Sequence, residues 1–502
     1  MTTVSLVAYP GSPCDTLSPM LMNPALTPEP LVFVDLETSG ANFANDRIIE
    51  IGLLEVDRDG AREWSVLVNP ETPVSSFITS LTGIDDAMLC SAPTFRQLAP
   101  AVLDKLRGRL FIAHNARFDY GFLKCEFKRL GIDFRAPTLC TVKLSRKLFP
   151  QHHRHNLDTL VTRHGLTVAG NRHRALADAR LLWELWQCWH GQLPSETIGS
   201  VVASIVGRPD LPPQIDPALI DDLPEAAGAY AFYGEDGRLL LIRRASNLRQ
   251  QLCAQFTATK RTTALMRDIR KIAWREAAGD LGARLHEAEL ARSSTRSDAD
   301  PLLVSHSSRS KAATTELCSW QLRLHAGSDY RPQLVCAQET DFALADDLFG
   351  LYPSRREALR SLRKLADAHR LCYKQLGLDE TAAGDACAAY RQKSCRGVCI
   401  GKETPALHGA RVITALAKFK VRGWPYKGPV ALLERDAFGM REDIHLVDRW
   451  RLVATVHSEE ALQACLADGP TRGSFDPDTY RIISRSLQAG KIGIRPLPPF
   501  SL

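Results

Sequence analysis

Two carboxylates, Asp35 and Glu37, stand two residues apart at the end of the apolar run Leu31-Val32-Phe33-Val34, which closes on the turn-forming Ser39-Gly40. A continuous β-prone run of this kind predicts a buried sheet strand. Side chains at i and i+2 of a strand share a face, so the two acids project together while Leu36 points back into the core. Like charges this close raise each other's pKa unless a cation compensates them. Hard oxygen donors favour Mg²⁺ or Mn²⁺ for that task. Two solvated acids at a strand end would read the same way, so the weight falls on whether further acids join them.

Two more are placed to do so. Asp119 closes His114-Asn115-Ala116-Arg117-Phe118-Asp119, just past a short buried strand at 110–113 and at the opening of an amphipathic helix over 120–130. His173 and Asp178 open a longer helix that ends near His190, and Ala175, Ala177 and Ala179 around the acid allow that helix to approach a sheet closely. An acid in a first helical turn also has a dipole reason to be there, so neither Asp119 nor Asp178 is decisive alone. Gly170-Asn171, just ahead of His173, suits a base that moves in with substrate. The elements between these residues are a hairpin series over 47–56 and 64–68 around Asp57-Arg58-Asp59-Gly60, a loop from Ser80, a helix over 94–106, and helical pieces over 140–148 and 156–164.

Taken together, V-D-L-E-T around Asp35 and Glu37, H-N-A-x-F-D around Asp119, and H-x4-D from His173 to Asp178 resemble the three motifs of the DEDD exonucleases in their histidine subclass, the family of the proofreading epsilon subunit of DNA polymerase III. Leu81-Thr82-Gly83-Ile84 and Asn156-Leu157-Asp158 match family segments at the right places, and the resemblance covers about 31–190. It implies a ribonuclease H-like mixed sheet flanked by helices. It also implies four carboxylates (Asp35, Glu37, Asp119 and Asp178) holding two Mg²⁺ or Mn²⁺ ions around a scissile phosphate. His173 is the expected general base, because an imidazole changes charge near neutral pH. The implied reaction is hydrolysis of the 3′-terminal phosphodiester with release of a nucleoside monophosphate. Leu81, Ile84 and Phe118 are then candidates to wedge or stack the terminal bases, with hydrophobic filling of the core as the other reading and the commoner one.

Composition bounds the rest. A chain of 502 residues is too long for one ordinary core, so two to four domains are expected. The 63 Lys and Arg against 57 Asp and Glu leave a net charge of +6, but residues 238–311 alone carry 15 basic and 7 acidic residues, a local +8 that suits a polyanion. Thirteen cysteines, an odd number scattered through apolar segments, predict a reducing compartment. Residues 1–30 contain six prolines and no basic n-region, so a flexible leader is expected rather than a signal peptide. No run of about eighteen apolar residues predicts a membrane span. The expected location is the cytoplasm, at the nucleoid.

Six prolines between Pro194 and Pro224 mark 191–222 as a linker with one helix at 196–205. Beyond it, Gly228-Ala229-Tyr230-Ala231-Phe232-Tyr233 reads as a strand, 234–237 as a turn, 239–242 as its hairpin partner, 247–252 as a helix, and 282–292 as a helix carrying Glu287. Over 223–292 this resembles the GIY-YIG nuclease domain of the C subunit of bacterial excinuclease, anchored by Tyr230, Asn247-Leu248-Arg249 and Glu287. The departures are at the chemistry: the family's second tyrosine falls at Leu241, its glycine at Arg243, its catalytic arginine at Gln251 and a further tyrosine at Gln255. Tyr230, the basic position at Arg244 and the metal-binding glutamate at Glu287 persist. Without the arginine, developing phosphate charge loses its clamp at a cost of roughly 10²–10³ in rate or more. The domain therefore reads as a degenerate nuclease kept for binding DNA, with Tyr230, Arg244, Arg249 and Glu287 on the binding surface.

Residues 298–315 read as a loop, and strand returns within 321–335. Phe349-Gly350-Leu351-Tyr352-Pro353-Ser354, similar to a segment ahead of the excinuclease cysteine region, leads into a basic helix with Arg355, Arg356, Arg360, Arg363 and Lys364. Cys372, Cys387, Cys395 and Cys399 follow with the spacing C-x14-C-x7-C-x3-C. Four such thiolates suit either a tetrahedral Zn²⁺ or an iron–sulfur cluster. The resemblance implies a [4Fe-4S] cluster, although the first spacing is longer here. Residues 403–502 read as a small α+β module with no chemistry of its own.

The expected architecture is thus α/β and α+β in several domains: leader 1–30, exonuclease 31–190, linker 191–222, a GIY-YIG-like α/β domain at 223–300, a helical cysteine-cluster region at 301–402 and a C-terminal module at 403–502. The expected function is a metal-dependent 3′–5′ exonuclease acting on single-stranded DNA or DNA 3′ ends in replication proofreading or repair, with a DNA polymerase or excision-repair proteins as partners. Two rivals stand beside it: a bifunctional excision-repair nuclease whose GIY-YIG domain also incises, and a non-catalytic damage-binding scaffold.

Overall fold

The computed structural model describes residues 30–500 apart from 168–171, 208, 210, 258–262, 295–316, 326–328, 381, 383–384 and 470–474. The leader before Pro30, the Gly170-Asn171 pair and the whole of the loop expected at 298–315 lie outside the described residues. The chain divides into two compact units, one holding residues up to 209 with 217–222 and the other holding 210–216 with 223–502.

The first unit is organised by a five-stranded sheet. β1 (Leu31–Thr38) pairs antiparallel with β2 (Ile48–Asp57), which pairs in turn with β3 (Gly60–Leu67). On its other side β1 runs parallel to β4 (Leu110–Ala113), and β4 parallel to β5 (Thr138–Cys140). The spatial order is β3-β2-β1-β4-β5. Because β1 is covered on both faces, its apolar run is continuous rather than alternating. Val32, Val34 and Leu36 pack with Phe95, Phe122 and Phe127 on one side. Leu31 and Phe33 pack with Leu182, Trp186 and Trp189 on the other. The helix Ala175–Gln192 supplies those tryptophans, and the helix Arg117–Arg129 begins three residues earlier than expected, which puts Asp119 in its first turn. The expected loop after Ser80 is in part a helix, Ser76–Thr82, capped by Ser75 and ended by Gly83 in the left-handed region. The helix expected inside the linker, Ser195–Val206, buries Ile198 in the second core, so this part of 191–222 is packed structure.

The second unit carries three small antiparallel sheets. β6 (Ala227–Tyr233) lies between β7 (Leu239–Ala245) and β8 (Lys271–Ala277), with the helix Asp280–Ser294 packed on them. β9 (Cys318–His325), β10 (Asp329–Cys336) and β11 (Leu348–Tyr352) form the second sheet in the order β10-β9-β11. Its core takes Leu362 and Leu365 from the basic helix Arg355–His369 and Val412, Ala415 and Leu416 from the helix Pro405–Leu416. The latter helix therefore belongs with this sheet, not with the C-terminal module where its sequence position had put it. The last sheet, of order β14-β13-β12-β15, comprises β12 (Val430–Arg435), β13 (Glu442–Asp448), β14 (Arg451–Val456) and β15 (Gly493–Pro496).

The three sheets of the second unit are not independent. Leu281 and Leu285 of the helix on the first sheet share one core with Val335, Val430, Val447, Trp450, Phe475, Tyr480 and Ile483. The helix start is held electrostatically as well. Glu434 accepts from the backbone N–H of Leu281 and Gly282, each at 2.8 Å, and Asp443 accepts from that of Ala278 at 2.7 Å. Glu434 and Asp443 face each other across β12 and β13, and two buried like charges there are tolerated because the helix terminus and Arg441, 2.8 Å from Asp443, share them.

Among the described residues no helix is long and apolar enough to cross a membrane.

Candidate active site and cysteine centre

The C-terminal end of β1 brings the first two acids to the sheet edge, as the strand period requires. Their backbone partners are Gly52 for Asp35 and Glu50 for Glu37. Asp119 reaches between them: the N–H of Leu36 donates to its Oδ1 at 3.1 Å. That bond fixes the third carboxylate against the strand segment that separates the first two. Asn115, in the tight connection from β4 to the Asp119 helix, adopts φ +61, a conformation that asparagine tolerates better than most residues.

From the other side, the helix Ala175–Gln192 brings Asp178. Glu37, His173 and Asp178 each offer a ligand atom within 4.8 Å of one another. His173 has φ +62, a strained conformation for a side chain with a Cβ, and it is the kind of local cost that surrounding structure must impose. The imposing contacts are visible. Arg174 clamps Glu50 through Nη2 and Nε at 2.7 and 3.0 Å, and the N–H of Ala175 donates to the same carboxylate at 2.9 Å. Gly52 makes the approach possible, because a Cβ there would lie 2.2 Å from the backbone carbon of Ala175. The expectation that small residues let this helix close on the sheet is thus met on both partners.

The electrostatics are those of crowded acids short of positive charge. Desolvation, then Asp119, Asp178 and Glu37, push the Asp35 carboxyl well above its ordinary range. Desolvation, then Asp178 and Glu50, raise Glu37 to about 7, and desolvation raises Asp119 to about 8. Asp178 is raised less, since Arg172 opposes its desolvation. Four oxygen-donor side chains that resist ionisation together fit a site for divalent cations, which remove that conflict by sharing the charge. The donors are all carboxylates with one imidazole at the rim, a hard set suited to Mg²⁺ or Mn²⁺.

Glu50, Arg172 and Arg174 were not among the expected site residues. Conversely, two residues expected to touch nucleic acid are buried. Ile84 is fully enclosed with Ile49 and Leu89, so it fills the core instead of meeting a base. Tyr230 is likewise fully buried on the central strand β6, between Arg243 on β7 and Trp274 on β8. Phe118 is half-buried and packs on Phe122 at 4.9 Å between ring centroids. Leu81 is exposed, as is its helix neighbour Phe77. Arg244 is exposed with Asp280 at 3.6 Å, while Arg249 and Glu287 are half-buried.

The four cysteines converge. Their sulfurs all lie within 4.8 Å of one another, with those of Cys372 and Cys387 3.7 Å apart. Cys372, Cys387 and Cys395 are buried, and Cys399 is partly exposed. Backbone N–H groups donate to sulfur twice, from Tyr390 to Cys387 and from Gly397 to Cys395, both at 3.3 Å. Donation of this kind suits a thiolate better than a thiol. Burial pushes Cys372 well up and Cys395 to about 11, while at Cys387 burial is outweighed by the N–H of Tyr390 and the neighbouring thiols, which lower it; a metal bound here would share the charge of several thiolates.

Comparison with known proteins agrees with this division. Residues 32–186 match an exonuclease model, residues 319–418 the UvrC/Cho excinuclease middle domain, and residues 429–501 the excinuclease Cho C-terminal domain. Excinuclease Cho of Shigella flexneri is 33% identical over 283 residues, 56% of this chain and 89% of that protein. The PolC-type DNA polymerase III of Caldanaerobacter subterraneus subsp. tengcongensis is 38% identical over 156 residues, 31% of this chain and 11% of the polymerase. The structure of exonuclease X in complex with 5′ overhanging duplex DNA aligns over 34% of this chain and 99% of its own at 24% identity and a TM-score of 0.28.

Proposed function

The chain belongs to the excinuclease Cho family and carries an exonuclease domain ahead of its Cho-like half, and on that premise we propose that it is a DNA-repair nuclease whose hydrolysis is done by the exonuclease domain, working 3′ to 5′, while the Cho-like half holds the DNA. The observation that carries the reading is the Asp119 carboxylate anchored on the N–H of Leu36, between Asp35 and Glu37, with His173 and Asp178 closing the group.

Asp35, Glu37, Asp119 and Asp178 would hold two divalent ions. When bound, these would supply charge to both the attacking and the leaving oxygen of the phosphodiester and make water acidic enough to attack. With the ions bound, His173 would take a proton from the attacking water; its backbone at φ +62 places the imidazole at the rim of the acid group. Arg174 and Glu50 position the loop on which His173 stands. The products are a nucleoside monophosphate and a DNA strand one residue shorter.

The GIY-YIG-like domain lacks the tyrosine, glycine and arginine of its family at Leu241, Arg243 and Gln251. This supports binding without incision. The four thiols fit one metal centre, a [4Fe-4S] cluster by family resemblance or a Zn²⁺ ion by ligand count; iron and sulfide analysis of protein purified without oxygen separates the two.

The test is digestion of 5′-labelled single-stranded DNA with Mn²⁺ by the intact chain, Asp35→Ala and His173→Ala. A ladder shortening from the 3′ end that both substitutions abolish is expected. Digestion that ignores both substitutions would overturn the assignment.

A further inference from the structure

Between Asp385 and Glu403 the chain has four basic residues, Arg391, Lys393, Arg396 and Lys402, and no acid. All four are exposed. Among the described residues none of them forms an ion pair with a carboxylate, whereas the next arginine, Arg411, closes on Glu403 at 2.5 Å. Lys402 instead donates to the Tyr390 hydroxyl at 2.7 Å and lies over its ring.

These cations stand on the turns that wrap the four sulfurs. Lys393, Gly397 and Gly401 have φ of +58, +91 and +75, so the backbone reverses repeatedly around the cluster. The basic helix is tied to the same turns, since Arg370, just past its end, donates to the carbonyl of Lys393 at 3.2 Å. Unpaired cations held at fixed spacing above a buried anchor are costly in mutual repulsion and idle for folding. They suit a polyanion whose charges repeat.

We propose that this loop is a clamp for the phosphate backbone of duplex DNA, with Arg391, Lys393 and Arg396 contacting phosphates and the thiol centre setting their spacing. The proposal rests on the reading that the Cho-like half handles DNA and adds the place where it does so. The contacts are to backbone, so binding is independent of base sequence and falls steeply with salt.

The experiment uses the full chain carrying Asp35→Ala, without added divalent metal, and follows fluorescence anisotropy of a labelled duplex from low to moderate salt. Arg391→Ala, Lys393→Ala and Arg396→Ala combined should weaken binding at low salt by at least about tenfold and flatten the log–log salt slope by about 2.7, close to 0.9 for each lost contact. Arg391→Lys with Arg396→Lys should keep the slope. Unchanged affinity and slope in the triple variant would overturn the clamp, as would a loss of affinity at constant slope, which marks disturbed folding. Failure of the Asp35→Ala parent itself to bind duplex would instead overturn the DNA-handling role of the whole half.

Discussion

Arg172 donates to Asp178 and, from the other edge of its guanidinium, to Asp158 at 2.8 Å. One cation thus serves an acid of the candidate metal group and an acid outside it. A carboxylate already satisfied by a guanidinium is a poorer ligand for a divalent ion, because the ion must displace that partner first. Arg172→Ala should therefore bind Mn²⁺ severalfold more tightly than the parent in isothermal titration. Equal or weaker binding would mean that the ion pair does not compete.

The acids of the site carry a pH signature. Glu37 and Asp119 titrate at about 7 and about 8 when folded, against about 4 when unfolded. The folded protein then holds protons that the unfolded chain releases, so stability in chelator falls as pH rises from about 5 to 8. Melting of the parent should be lower at pH 8 than at pH 5.5 in EDTA, and excess Mn²⁺ should shrink that difference. Asp119→Asn should flatten the profile; a parent profile already flat would contradict the shifts.

Gly52 is opposed by the backbone of Ala175, not by a movable side chain. Gly52→Ala must push the helix that carries Asp178 off the sheet. Urea unfolding should report a loss of about 3 kcal/mol, with nuclease activity lost in the fraction still folded. A neutral result would mean that the backbone of Ala175 does not bear on position 52 in solution.

Asp443 predicts a different pH behaviour. Its carboxyl is held at about 2, with burial opposed by His457, Arg441 and the N–H of Ala278. A lowered folded pKa adds stability that is full above the unfolded value near 4 and is lost as pH falls toward 2. The contribution, for a group largely buried, is about 2 kcal/mol. Asp443→Asn should be less stable than the parent by that order at pH 7, with the gap closing below about pH 4; a constant gap down to pH 3 would refute the assignment.

The sequence carried the acids and the thiols because each is announced locally. Asp35 and Glu37 follow from the two-residue strand period, Asp119 and Asp178 from helix openings, and the four cysteines from their spacing. What supports them was silent. Glu50 and Arg174 are 124 residues apart, and a pair that distant leaves no periodic trace. Ile84 and Tyr230 were open for the opposite reason: an apolar or aromatic residue inside a motif reads alike whether it faces solvent or core, and the fold puts both in the core. The shared core of the second unit was equally hidden, because Leu281 and Tyr480 belong to segments that each look like a complete small module.

The helix Asp280–Ser294 is capped by Glu434 and Asp443 and buried against Trp450, Phe475 and Tyr480. It carries Glu287, the glutamate position of the GIY-YIG domains that this segment resembles, while Leu241, Arg243 and Gln251 stand where those domains have a tyrosine, a glycine and an arginine. Chemistry can erode one side chain at a time, but a helix that closes the hydrophobic interior of the last seventy residues cannot be deleted without unmaking them. The helix Asp280–Ser294 is in this sense a keystone, held in place by the core that it closes.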